Sequence, residues 1–138
     1  MQISVMQEAI NLAKQANNVY TAFNHTHADV HDIYEADDVQ GNTAAYKETL
    51  ATQSDLILFI NNLSEEEAFD MLTLLYLGRD HSFPAEESGE VRFAMQKQLL
   101  SETLSGVQNA NMVHTLILEK MKKLDQYLQE GLEIYTKE

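Results

Sequence analysis

The sequence predicts an all-α fold, a single-domain bundle of five to six helices spanning residues 1–138. Glycine and proline are scarce, at 5 and 1 of 138 residues, and residues of high helix propensity are common. Apolar side chains recur three or four positions apart, which is the spacing of one helix face. No segment alternates between apolar and polar residues of strand-forming types, so we expect no sheet.

The first part of the chain predicts two long helices separated by a polar segment. The first helix should begin with Ser4 as its cap, because Gln7 three residues later completes a capping-box pattern. The polar segment 24–42 has room for a short helix. The second long helix is expected over about 43–61. Its inward-facing residues should be Tyr46, Leu50, Ile57 and Ile60.

The third helix has the clearest start signal in the sequence. Ser64 should cap it, Glu67 should complete a capping box, and the acidic residues 65–67 complement the positive end of the helix dipole. Gly78 should end the helix as a left-handed cap. The buried stripe should consist of Met71, Leu72, Leu75 and Tyr76.

The remaining sequence predicts a fourth helix and a final helical region. Pro84 suits the first turn of the fourth helix, and Gly106 should close it. Its inward face is expected to contain Val91, Met95, Leu99 and Leu100. The final region, about 109–135, forms either one helix or two. Its apolar face comprises Met112, Leu116, Ile117, Met121, Leu124, Leu128, Leu132 and Tyr135.

Composition and charge exclude several classes of protein. The chain has no cysteine, which rules out a disulfide scaffold, and its net charge of −13 argues against a nucleic-acid partner. The longest apolar stretch, 56–60, is far shorter than the roughly 20 residues that span a membrane, and the first residues lack the pattern of a signal peptide. We therefore expect a soluble cytoplasmic protein with no membrane partner.

The negative charge is concentrated in the middle of the chain. Residues 24–91 contain 15 acidic residues and 2 basic ones, whereas the rest of the chain is neutral with 7 of each. This segment forms either a solvated face or a surface for a basic protein partner. The leading functional hypothesis is a non-enzymatic interaction or accessory module. The apolar face of the last helical region is a candidate surface for a homodimer.

Histidines and acids cluster in the polar segment and suggest an alternative function, the binding of a divalent metal. Imidazole and carboxylate groups are the usual ligands of zinc, nickel, cobalt and manganese. On a helix, His27, His31 and Glu35 would share one face, and Asp38 would fall on the same stripe. His25 would join them where the chain is irregular. The competing interpretation is an acid-rich connector without metal, so no cofactor is predicted beyond this divalent ion.

Two further groups of polar residues are candidate sites. Arg79 and Asp80 follow the expected Gly78 cap, where they form either a binding loop or, as we favour, a structural tie from Arg79 to a neighbouring helix. The acidic residues 66–70 and 87–90 look like the magnesium-binding pairs of all-helical nucleotide pyrophosphatases. Because the two groups begin consecutive helices, they should lie at opposite ends of an antiparallel pair, which argues against that enzyme.

Two stretches resemble a known family. Leu63-Ser-Glu-Glu-Glu through Leu75-Tyr-Leu-Gly-Arg-Asp80, and Leu124-Asp-Gln-Tyr-Leu-Gln-Glu-Gly-Leu132, resemble the bacterial family designated domain of unknown function 3775. Members of that family have a second glycine between the arginine and the aspartate, whereas here Asp80 follows Arg79 directly. The resemblance implies a small helical domain and implies no activity.

Overall fold

The computed structural model describes residues 1–26, 43–81, 83–104 and 110–137, with side chains described over 1–18, 51–81, 83–104 and 112–137. Every regular element in these ranges is helical, and none is a strand, which confirms the all-α prediction. The α-helices are α1 (Ile3–Thr26), α2 (Thr43–Asn61), α3 (Glu65–Asp80), α4 (Gly89–Thr103), α5 (Ala110–Leu118) and α6 (Leu124–Tyr135). A short 3₁₀ turn, Met121–Lys123, separates the last two. The final helical region therefore contains two α-helices.

Helix α3 is the centre of the packing because it contacts α4, α5 and α6, while α1 packs against α2 and α6. Its apolar residues are buried on several sides, as expected for a helix surrounded by others. The predicted stripe is confirmed for Met71, Leu72 and Leu75, whereas Tyr76 is only partly buried. Buried Leu74 and Leu77 extend the core beyond that stripe. No helix in the described ranges has the length and apolarity needed to cross a membrane.

The helix starts are partly as predicted. Ser64 and Glu67 form the full capping box of α3, with Glu67 N donating to Ser64 Oγ at 3.1 Å and Ser64 N donating to Glu67 Oε1 at 2.9 Å. The start of α1 is different, because Ser4 lies inside the first turn. The carbonyl oxygen of Gln2 already accepts from Val5 N at 3.2 Å, so the helix begins at Ile3 and Ser4 is not its cap.

Gly78 does not end α3, contrary to the prediction. The helix continues to Asp80, and His81 is the left-handed cap, with φ of 49° and its N–H donating to Leu77 O at 2.9 Å. Gly78 instead lies where α3 crosses α6. A Cβ atom at Gly78 would stand 1.9 Å from Tyr127 O, and one at Gly131 would stand 2.3 Å from Leu74 O. Glycine is needed here because the backbones of two helices approach each other closely. A glycine near the end of a helix gives the same sequence signal whether it caps that helix or permits such an approach.

The boundaries of α4 also differ from the prediction. Pro84 lies in the preceding loop, and the helix begins at Gly89 after the cap Ser88, whose Oγ accepts from Val91 N at 3.3 Å. Gly89 begins the helix because it packs directly on the end of α6. Its N–H donates to Lys137 O at 2.9 Å, and a Cβ there would lie 2.0 Å from Ile134 O. The helix ends at Thr103, before Gly106, which lies outside the described residues.

The apolar face of the last helical region belongs to the core. Its buried members are Ile117, Leu124, Leu128 and Leu132, as predicted. Met112, Leu116, Met121 and Tyr135 are partly buried. The face that we expected to support a homodimer is thus largely covered within the monomer, and the homodimer itself stays a prediction. His114 of α5 is also buried, and because a carbonyl oxygen only accepts, its Nε2 must donate the 3.0 Å hydrogen bond to Leu63 O.

In α2 the buried core residues are Leu56 and Ile60, whereas Ile57, which we predicted to face inward, is only partly buried. The predicted contributions of Tyr46 and Leu50 concern side chains outside the described set. The short helix expected within 24–42 lies outside the described residues, apart from 24–26, which continue α1.

Candidate interaction surface

Helix α4 presents apolar side chains to the solvent. Val91, Met95 and Leu99 stand four residues apart, so they share one face of the helix, and they are exposed by 42%, 39% and 48%. We call these three residues the α4 ridge. All three were predicted to face inward, and the structure contradicts that prediction; of the predicted face only Leu100 is buried.

The buried face of α4 is unusually polar. Arg92 and Gln96 are only 5% and 4% exposed, and they lie among the buried residues Phe93 and Leu100. Within the described part of the chain, Gln96 Oε1 has no hydrogen-bond partner. An amphipathic helix normally shows the reverse distribution, so α4 exposes side chains that would ordinarily be covered.

Phe93 and Gly89 explain this orientation. The Phe93 ring packs edge-on against Tyr135 of α6, with centroids 5.2 Å apart and planes inclined by 73°. Gly89 fixes the start of the helix against the end of α6. These two contacts set the rotation of α4, and the smaller apolar residues then face outward. Phe93 is the largest apolar side chain of this helix, and it is the sequence signal that could have identified the buried face.

The two ends of the ridge are acidic. Glu86, Glu87 and Glu90 are exposed at the N-terminal end of α4, and Glu102 is exposed one turn beyond Leu99. Lys97 lies away from the ridge, facing α3. Its Nζ is 2.8 Å from Asp70 Oδ1, an ion pair without hydrogen-bond alignment. A shallow groove of about 350 Å³ between α3 and α4 is lined by Glu65, Glu66, Phe69, Lys97 and Ser101.

Arg79 and Asp80 lie in the last turn of α3 and not in a loop. Arg79 Nε and Nη2 donate to Asp80 Oδ1 and Oδ2 at 2.7 and 3.0 Å, and the guanidinium stacks on Tyr76, 4.4 Å from the ring centroid. The hydrogen bonds to Asp80 are the main reason that the pKa of Arg79 is raised; partial burial opposes them, and the charge of Asp80 and the phenols of Tyr76 and Tyr127 add to the rise.

The structural tie that we assigned to Arg79 is made elsewhere. Arg79 forms its ion pair with Asp80 of the same helix, so the prediction that Arg79 bonds a neighbouring helix is wrong. His81 and Glu130 connect α3 to α6 instead, with Nε2 and Oε2 3.4 Å apart. The two stretches that carry the family resemblance thus meet where α3 crosses α6. Gly78 and Gly131 also lie at that crossing.

The predicted metal ligands are mostly outside the described residues. His25 belongs to the backbone of α1, and its side chain is not described; His27, His31, Glu35 and Asp38 lie outside the described ranges. Among the side chains that are described, no group of three histidine or acidic residues is placed to hold a metal ion. The metal hypothesis for the 25–38 segment therefore stays a prediction.

Comparisons with protein-family models, with curated proteins and with solved structures found no match to this chain. The resemblance to domain of unknown function 3775 accordingly stays a hypothesis.

Proposed function

We propose that the protein is a non-enzymatic, cytoplasmic interaction module that binds a basic amphipathic helix of a partner protein through the α4 ridge. The single observation that supports this proposal is the inverted burial of α4, with Val91, Met95 and Leu99 exposed while Arg92 and Gln96 are buried. A ridge of residues four apart packs into the groove of another helix at a crossing angle of about −50°. A partner helix with apolar residues at the same spacing would complete that packing.

The charges favour a basic partner over a second copy of this chain. In an antiparallel pair of α4 helices, the acids before Val91 would meet Glu102 of the other copy, and in a parallel pair Glu90 would meet Glu90. Both arrangements place like charges together, which disfavours association. The net charge of −13 adds a general repulsion between copies. Lysine or arginine residues at both ends of a partner helix would remove the conflict.

The test uses two synthetic helical peptides that have leucines four residues apart and differ only in their ends, which carry lysine in one peptide and glutamate in the other. Fluorescence anisotropy measures their affinity for the full chain. The lysine peptide should bind and the glutamate peptide should bind at least about tenfold more weakly. Met95→Gln and Leu99→Gln should each weaken the lysine peptide by about tenfold, because each removes a central apolar anchor.

Leu58→Gln is the matched control, because Leu58 is 60% exposed on α2, away from the ridge, and its loss should leave peptide binding unchanged. Equal affinity for both peptides, or equal loss in the ridge and control variants, would overturn the proposal. Light scattering on the chain alone provides a second check. A dimer that disappears in Leu99→Gln would assign the ridge to a second copy and refute the basic partner.

A further inference from the structure

The connection between α5 and α6 forms a hollow that the ridge does not use. The hollow has a volume of about 530 Å³, within the usual range for small-molecule sites. The partly buried side chains Leu118, Met121 and Tyr127 provide its apolar lining. Lys120, Lys122 and Lys123 also line the hollow. An apolar surface with charged groups of one sign beside it is suited to a ligand with an apolar body and an opposite charge.

These lysines are a local exception in an acidic protein. They are three of the 9 basic residues of a chain whose net charge is −13, and they fall within four positions. Glu119 is the acidic residue in the lining, and the next acid along the chain, Asp125, accepts a 2.9 Å hydrogen bond from Asn17 of α1. Within the described ranges, neither Lys120 nor Lys123 forms a salt bridge. Among the described residues, Lys120 and Lys123 therefore bring positive charge to the hollow that no salt bridge neutralises.

A 3₁₀ turn connects two of the three lysines. Lys123 N donates to Lys120 O at 3.0 Å, closing the 3₁₀ turn that begins after Lys120. Lys120 is the N-cap of this turn and Lys123 its last residue, and both line the hollow. Lys120 N in turn donates to Ile117 O at 3.0 Å, which holds the turn to the end of α5.

Tyr127 gives the hollow a firm wall. Its backbone carbonyl lies in the close crossing of α3 and α6, where a Cβ at Gly78 would approach it to 1.9 Å. Displacing the Tyr127 backbone would therefore require α3 and α6 to separate. The backbone that carries this part of the lining is therefore held by the fold, which lowers the ordering cost of binding.

We propose that this hollow binds a small amphiphilic anion, that is, a carboxylate or phosphate group attached to an aromatic or aliphatic body. Lys120 and Lys123 would hold the anionic group, and the body would lie against Leu118, Met121 and Tyr127. Phosphate alone lacks the body, and a neutral aromatic compound lacks the charge, so each should bind more weakly than a molecule with both. This site is separate from the α4 ridge, so either assignment can fail without the other.

The test is a titration of the full chain with 2-naphthoate, followed by amide NMR shifts and calorimetry. The shifts should centre on residues 118–127, and binding should weaken as the salt concentration rises. The uncharged 2-naphthamide and inorganic phosphate should each bind at least about tenfold more weakly. A variant combining Lys120→Gln and Lys123→Gln should lose about tenfold or more in naphthoate affinity.

Two variants act as controls. Lys137→Gln removes an exposed lysine that does not line the hollow, and Leu99→Gln removes part of the ridge, so both should bind naphthoate as the unmodified chain does. The proposal is overturned if naphthoate does not bind, if naphthamide binds equally well, or if Lys137→Gln causes the same loss as the paired substitution. Binding to vesicles of anionic lipid without binding to free naphthoate would assign the lysines to a membrane surface and would also overturn it.

Discussion

The crossing of α3 and α6 predicts that Gly78→Ala destabilises the protein, although the same substitution inside an ordinary helix stabilises it. Alanine in place of a helix-interior glycine normally contributes about 1 kcal/mol of stability. At Gly78 the new Cβ would lie 1.9 Å from Tyr127 O and 2.6 Å from Gly131 N, both backbone atoms that cannot rotate away. The helices must therefore separate by about 1 Å, which forfeits a quarter to a half of the dispersion energy across the gap.

The expected net effect is a loss of roughly 3 kcal/mol, at the upper end of the usual cost of overpacking. For a chain of 138 residues this corresponds to a fall in Tm of about 10 °C. Urea and thermal denaturation followed by circular dichroism measure both quantities. Gly131→Ala should behave in the same way, since its Cβ would lie 2.3 Å from Leu74 O.

Ala94→Gly on the exposed side of α4 is the control, because it changes helix propensity by about 1 kcal/mol without touching the crossing. If Gly78→Ala raised the stability by that amount, α3 and α6 could not be in contact at this point. The arrangement of the two central helices would then be wrong, and with it the placement of Tyr127 in the wall of the hollow.

Four further predictions test the rest of the molecule. Arg79→Ala should lower the free energy of unfolding by only about 1 kcal/mol, because the ion pair and the ring contact of Arg79 are partly exposed. The raised pKa of Arg79 keeps its guanidinium charged from pH 6 to pH 9, so urea melts should show the same loss over that pH range. His114→Ala should cost about 3 kcal/mol in the same assay, through a lost buried hydrogen bond and a cavity, and a loss below about 1 kcal/mol would contradict this packing. Zinc at 100 times its Kd should raise the free energy of unfolding by about 2.7 kcal/mol, an effect that His27→Ala with His31→Ala should abolish; an equal zinc effect in that variant would remove the metal hypothesis. Gln96→Leu should stabilise the protein by about 1 kcal/mol in urea melts, whereas Gln98→Leu on the exposed side should change it by less than about 0.5 kcal/mol.

Sequence reasoning was accurate where local chemistry decides the structure. The capping box at Ser64 is a contact between residues three apart, so the pattern alone specifies it. The apolar spacing of α6 likewise identified Leu128 and Leu132 as core residues. The fold class follows from many such local signals that agree.

It was inaccurate where a contact distant in sequence decides the structure. Gly78 carries the signal of a helix cap, and only the approach of Tyr127 shows that it serves a helix crossing. In the same way, Pro84 carries the sequence signal of a helix start, but α4 begins at Gly89 because that residue packs against the end of α6. The partner of Arg79 was also wrong, because a residue pattern does not show which of several nearby carboxylates a side chain reaches.

The rotation of α4 connects the fold to the proposed function, and Gln96 reports it directly. With the ridge outward, Gln96 is buried with an oxygen that accepts no hydrogen bond in the described part of the chain, so leucine there removes a desolvation cost. With the ridge inward, Gln96 would be solvated and Gln98 would lie nearer the core, so the two leucine substitutions would exchange their effects. That exchange would mean that Val91, Met95 and Leu99 are core residues, and the partner-binding proposal would fail before any peptide was tested. Stabilisation by Gln96→Leu alone would instead establish that α4 exposes Val91, Met95 and Leu99 while burying a poorly bonded glutamine, which is the distribution expected of a helix whose exposed face binds a partner.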